Sequence, residues 1–217
     1  MNKFIKFDSP VMQLLAQIFN YLLITILWIL CSLPIITIGI SLASAETVAM
    51  KLILGEDDTV IKPFFKSFRD NFKQGLILWG VILPFLLVVI LSSVFLLSET
   101  GKEYSLIWLP TGILLLLVMT VFVHGLPQIA RYSNSLVQII KNSYYFLVMF
   151  PIYTITMILL LLMPIFVFLF RPGVILRYGE IPLLLYLGLS LYIKDCIQLK
   201  IFEKTEKCLS GSEFDGN

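Results

Sequence analysis

Charge is what this chain has least of. Asp, Glu, Lys and Arg make up 14% of its 217 residues, against about a quarter in an average soluble domain, while 59% of the residues are hydrophobic. A water-soluble fold of this size has no interior large enough for so much apolar surface, which excludes an ordinary soluble domain. The net charge is only +2, without a concentrated basic field, so no nucleic-acid partner is expected. The single histidine, His124, rules out a multi-histidine metal site. Cys31, Cys196 and Cys208 show no CxxC spacing and read as free thiols. The motifs G-x-x-x-x-G-K-[ST], H-E-x-x-H and G-x-S-x-G are all missing, so nothing points to a P-loop ATPase, a zinc protease or a serine hydrolase. The expectation is a protein without enzymatic activity or cofactor.

What the chain does have is long apolar runs. Bilayer hydrocarbon is about 30 Å thick and a helix rises 1.5 Å per residue, so a crossing needs roughly 20 mostly apolar residues. Five segments qualify, at about 14–32, 76–97, 106–126, 144–170 and 181–199. Lipid leaves no partner for an open backbone and no segment alternates like a barrel strand, so these are expected to be helices. The predicted fold is all-α: one polytopic membrane domain over 1–206, followed by a polar, disordered tail over 207–217.

Ala43-Ser44-Ala45 resembles a secretory cleavage site, but the apolar stretch before it runs from near Val11 to about Ile40, longer than a signal peptide's core. An uncleaved anchor is the better reading. With five crossings, eleven of the sixteen basic residues collect on the side of 44–75, 127–143 and the C-terminal tail. The positive-inside rule then puts the N-terminus outside and the C-terminus in the cytoplasm. A rival topology, in which residues 34–50 re-enter or cross, moves Lys3 and Lys6 inside and sharpens the split to thirteen against three. Its cost is placing Glu46 deep in lipid.

A weak parallel repeat connects two places in the chain. An apolar span ends at Leu33-Pro34 and another at Leu126-Pro127. Each is followed by an amphipathic stretch, then by Lys73 or Lys141, and then by a span carrying Pro84 or Pro151. Pro34, Gly39 and Pro127 are read as helix breakers at a membrane exit.

Among the polar segments KPFFKSFRDNFKQG says most. Phe64, Phe68 and Phe72 recur every four residues beside Phe65, while Lys66, Arg69 and Lys73 occupy the remaining arc. That pattern predicts a helix over about 63–74, lying in the headgroup layer or presented to a partner. Within the spans Asp195 is the costliest group; Arg131 and His124 lie at a similar depth as candidate partners, a pair with Arg131 being one reading and solvated Lys194 and Asp195 beyond the lipid the other. Glu46 is expected near the surface.

Asn20 to Trp28 followed by CSLPIITIG, then FFKSFRDNFKQG, then LPQIARYSNSLVQIIKNS, resemble in order and spacing the YesL-like family of small bacterial integral membrane proteins. The resemblance implies a single, mainly five-span protein of the cytoplasmic membrane in Gram-positive bacteria. The family's function is unknown, and its members' genes often neighbour those of carbohydrate-uptake ABC transporters. The implied role is an accessory or assembly partner of sugar ABC permease subunits. The alternative is a small-solute transporter or channel built on the repeat.

Overall fold

The computed structural model describes residues 10–98, 106–132, 134–170 and 179–214, and every regular element among them is helical. The chain is an all-α polytopic protein: four helices are long and apolar enough to cross a membrane, five if one bent pair is counted as a span. Lys3, Lys6, Lys102, Arg171 and Arg177, which the orientation count used, lie outside the described residues.

Helix α1 (Pro10–Cys31) is followed by a turn at Leu33-Pro34, a short 3-10 segment at Ile35–Thr37, and α2 (Ile38–Leu54). The turn is closed by Thr37, whose hydroxyl donates to the carbonyls of Cys31 at 2.6 Å and Pro34 at 2.8 Å. The two helices run antiparallel: Tyr21 donates to the Ala49 carbonyl at 3.3 Å near one end, and Ser32 and Ser41 share a 2.5 Å hydrogen bond near the other.

This hairpin corrects the sequence reading. Residues 34–50 do not leave the membrane domain; they form most of its central helix, and 35–54 is itself long and apolar enough for a span. The reason lies in residue size. Gly39, Ser41, Ala43, Ser44, Ala45 and Ala49 lower the hydropathy of α2, yet all six are buried, because small side chains let neighbouring backbones come close. The hydroxyls of Ser44 and Thr47 return to the Ile40 and Ala43 carbonyls, both at 2.8 Å, and so need no water. Gly39 is no helix breaker either. It lies in the first turn of α2, where a Cβ would sit 2.6 Å from the Cβ of Trp79.

Gly55, at φ +68°, ends α2 in the left-handed conformation that glycine adopts without strain. Helix α3 (Ile61–Asp70) then folds back along α2, and after a break at Asn71 the chain enters α4 (Phe72–Leu97). Because Gly39 meets Trp79 and Ile40 meets Gly75, α4 runs antiparallel to α2. The Trp79 indole donates to the Ile35 carbonyl at 2.8 Å, which fixes the hairpin tip beside the second turn of α4. Eighteen residues of α4, about 27 Å of helix, continue past that point. The tip turns Leu33, Ile35 and Ile36 outward.

Helix α5 (Trp108–Arg131) returns along α4, with the Trp79 ring 5.8 Å from that of Phe122. Pro127 is buried inside α5 and does not end it. The expected repeat therefore has no structural counterpart: Leu33-Pro34 is an exposed turn, Leu126-Pro127 lies within a buried helix, and α2 has no equivalent in the second half. Nor is 144–170 one continuous helix. Helices α6 (Leu136–Met149) and α7 (Pro151–Phe170) meet at 109°, because Pro151 has no N–H to donate and pushes Phe150 out of helical geometry, to φ −132° and ψ 55°. Pro84 and Pro164 lie inside α4 and α7 without such a break.

The last helix, α8 (Glu180–Phe214), outruns the expected span and remains helical through the stretch from Lys207 that the sequence suggested was disordered. A 2.7 Å ion pair between Glu203 and Lys207, one turn apart, reinforces it there. Residues 215–217 lie outside the described residues.

Candidate functional site: a buried charge cluster

The centre of the bundle holds charge. Glu46 of α2 is 1% exposed, and Lys194 and Asp195 of α8 are 6% and 0% exposed. The Lys194 ammonium donates to Glu46 Oε1 and lies 3.6 Å from Asp195 Oδ1. Two carboxylates thus share one ammonium, across 148 residues of sequence. Among the described residues, Glu46 Oε2 and both Asp195 oxygens have no hydrogen-bond partner. Such a cluster is costly to hold away from water, and most intramembrane groups of this kind handle an ion, a proton or a substrate. Beside it lies a small cavity of about 40 Å³, lined by Glu46 and Lys194 together with Trp28, Phe122, Met157 and Ser190. That is room for about one water molecule.

A neutral network continues from the cluster along α8. One turn after Asp195, Gln198 Oε1 meets His124 Nδ1 at 2.8 Å, and His124 Nε2 meets the Thr154 hydroxyl at 2.9 Å. The histidine of α5 is therefore a fully buried junction between α8 and α7. One turn further along α5, Gln128 donates to the His124 carbonyl at 3.0 Å and to Ser143 at 3.2 Å. Gln198 Nε2 and Gln128 Oε1 are left without protein partners. Among the described residues no three or more of His, Cys, Asp and Glu are grouped so as to hold a metal ion.

The expected pair of Arg131 and Asp195 does not form. Arg131 lies 3.5 Å from Glu206 and stacks over the rings of Tyr132 and Phe202, each at 5.7 Å. Asp195 lies deeper, one helical turn inside Gln198. Tyr132 donates to Glu206, and burial, with the carboxylate beside it, pushes the phenol up to about 12. What the sequence concealed was the partner. Glu46 follows a small-residue run that reads as a membrane exit, so the acid that reaches Lys194 from another helix is expected at the surface.

The aromatic helix is present, but shorter than expected. Phe64 is fully buried against the core and Phe68 is half-buried, their rings 6.4 Å apart, while Phe65 and Phe72 are exposed. Phe72 belongs to α4. Lys66, Arg69 and Lys73 are exposed alongside them. The stripe is thus first a packing face, and only its flank is open to lipid or a partner.

No curated protein and no solved structure matches the chain. A family model described as "Protein of unknown function, DUF624" matches residues 21–93, a third of the chain, which takes in the second half of α1, α2, α3 and most of α4. The chain's likeness is therefore to a family without an assigned function, over the segment that carries Glu46.

Proposed function

We propose that the protein is a non-enzymatic, multi-pass component of the cell membrane that moves a small solute, with the Glu46–Lys194–Asp195 cluster as its ion-coupling site. The observation that carries this reading is the charge imbalance. Two buried carboxylates face one ammonium, so neutralising the cluster takes one further positive charge, a proton or a small cation. A motion of α2 against α8 separates Glu46 from Lys194 and changes the cluster's demand for that charge, which is how a coupled transporter works.

In this reading α1 and α2 enter and leave on one face, so the N-terminus lies on the same side as α3, reversing the orientation expected for five simple crossings. Thirteen of the sixteen basic residues then lie on that face, which the positive-inside rule makes cytoplasmic.

The test is electrical. Proteoliposomes adsorbed on a solid-supported membrane are exposed to jumps of neutral sugars, amino acids and organic cations. The expectation is a current for at least one solute class, lost in Glu46→Gln. No current for any class counts against the proposal.

A second reading has its own support. The match to a family of unknown function fits a YesL-like protein, and the exposed Phe65, Phe72, Lys66, Arg69 and Lys73 offer a surface to a permease subunit of a carbohydrate ABC system. Stoichiometric recovery of such subunits from native membranes, lost in Phe65→Ser/Phe72→Ser while melting is unchanged, is the result that reading expects.

A further inference from the structure

Where the ends of α5, α6 and α8 meet, a pocket of about 520 Å³ opens, within the range of roughly 300–1,000 Å³ typical of small-molecule sites. Its wall carries four side-chain amides, from Gln128, Asn134, Gln138 and Asn142, and four aromatic rings, among them those of Phe146 and Phe202. We infer that this pocket binds a neutral polyhydroxylated molecule, of the size of a mono- or disaccharide.

Gln128 gives the strongest indication. It is 1% exposed, and its amide orientation is fixed because Nε2 points to the carbonyls of His124, at 3.0 Å, and Ile139, at 3.4 Å, which only accept. Oε1 of this lining residue is a buried acceptor without a hydrogen-bond partner among the described residues. Buried acceptors are rarely left unmet, and a ligand hydroxyl supplies the missing donor. The other three amides each offer both a donor and an acceptor, as a sugar hydroxyl does. Charge selects against ionic ligands. Glu206 is the one charged residue in the lining, and its Oε1 is already engaged by the Tyr132 hydroxyl and by Arg131 at 3.5 Å. The rings of Phe146 and Phe202, 6.0 Å apart, offer apolar faces of the kind on which sugar C–H groups pack.

Through Gln128 and His124 the pocket is joined to Gln198, one turn from Asp195. As the substrate class for transport this inference rests on the proposed function; as a binding site it is measured without transport. The experiment is equilibrium dialysis of the full chain in detergent micelles against radiolabelled D-glucose and maltose, with D-glucosamine and D-gluconate as charged probes. Saturable binding of a neutral probe is expected. It should fall about tenfold in Gln138→Leu and in Asn142→Leu, the effect of losing one hydrogen bond, with the melting temperature unchanged because both side chains lie on the outer wall. Absence of saturable binding for both neutral probes, equal binding in the variants, or preference for a charged probe overturns the inference. Binding without solute-driven current defeats the transport reading alone, and sugar-driven current without binding defeats the pocket alone.

Discussion

Helices α2 and α4 are both apolar and pack against each other through Gly39 and Gly75, yet they solve opposite problems. Helix α4 turns Phe85, Val88, Leu91 and Val94 outward, each about half exposed or more, and its apolar bulk is what lipid solvates. Helix α2 buries eleven of its seventeen residues, most of them small or polar, with Glu46 among them. Hydropathy measures suitability for lipid, so it registers the helix at the edge and understates the one in the middle. Of these two helices, the one that looks less like a span is the one that carries a buried charge.

The comparison is broken most severely by removing the cluster's cation. Lys194→Met leaves Glu46 and Asp195 facing each other in the bundle, at an expected cost of about 3–5 kcal/mol. Fluorescence-detected size exclusion should show little folded protein, whereas Lys200→Met, on the half-exposed side of the same helix, should elute as wild type. Next comes the lipid-facing side. Leu91 is 67% exposed, so Leu91→Arg should reduce membrane insertion by about 2.5–3.5 kcal/mol, while Leu91→Phe should be silent in the same glycosylation-tag assay.

Smaller effects come from glycine. Gly39→Ala forces a Cβ against Trp79 and should cost about 1–3 kcal/mol, read as a lower melting temperature in nanodiscs. Gly80, one residue beyond Trp79 in α4, has nothing within 4 Å of an added Cβ. Gly80→Ala should therefore melt no lower than wild type, and equal losses at both sites would remove the distinction between the two helices.

The smallest effect lies in the turn between α2 and α3. Asp57 accepts hydrogen bonds from the Thr59 amide at 3.0 Å and hydroxyl at 2.8 Å, and these hold its carboxyl below the ordinary range. A lowered folded value means that the turn's stabilisation is complete above the unfolded value of about 3.9 and is lost as pH falls through the folded one. Hydrogen exchange corrected for intrinsic rates should show Thr59 protection constant down to about pH 5 and declining below pH 4. Asp57→Asn should remove that pH dependence.

These contrasts also mark what the sequence could disclose. Spans α4 and α5 were legible because lipid-facing residues must be apolar, and α3 because Phe64 and Phe68 follow helical spacing. The hairpin was legible only as a rival topology favoured by charge, since Ala43-Ser44-Ala45 lowers hydropathy for the same reason that it allows close packing. The bend at Phe150 escaped because an equally placed Pro84 leaves α4 unbroken, and tertiary packing decides between those outcomes. Asp195 was recognisable as costly, but its environment depends on Lys194 reaching Glu46, a contact that no local pattern encodes. Gln198 and Thr154 gave no signal at all: a glutamine and a threonine become notable only when a buried histidine lies between them.

The central claim is that Glu46 and Lys194 meet inside the bundle, and a charge-swap cycle tests it most directly. Wild type, Glu46→Lys, Lys194→Glu and the double exchange are compared by melting temperature in nanodiscs. The account predicts that each single exchange, which places like charges together, abolishes folded protein, and that the double exchange restores it. Single variants that melt like wild type, or a double variant no better than either single one, would contradict it.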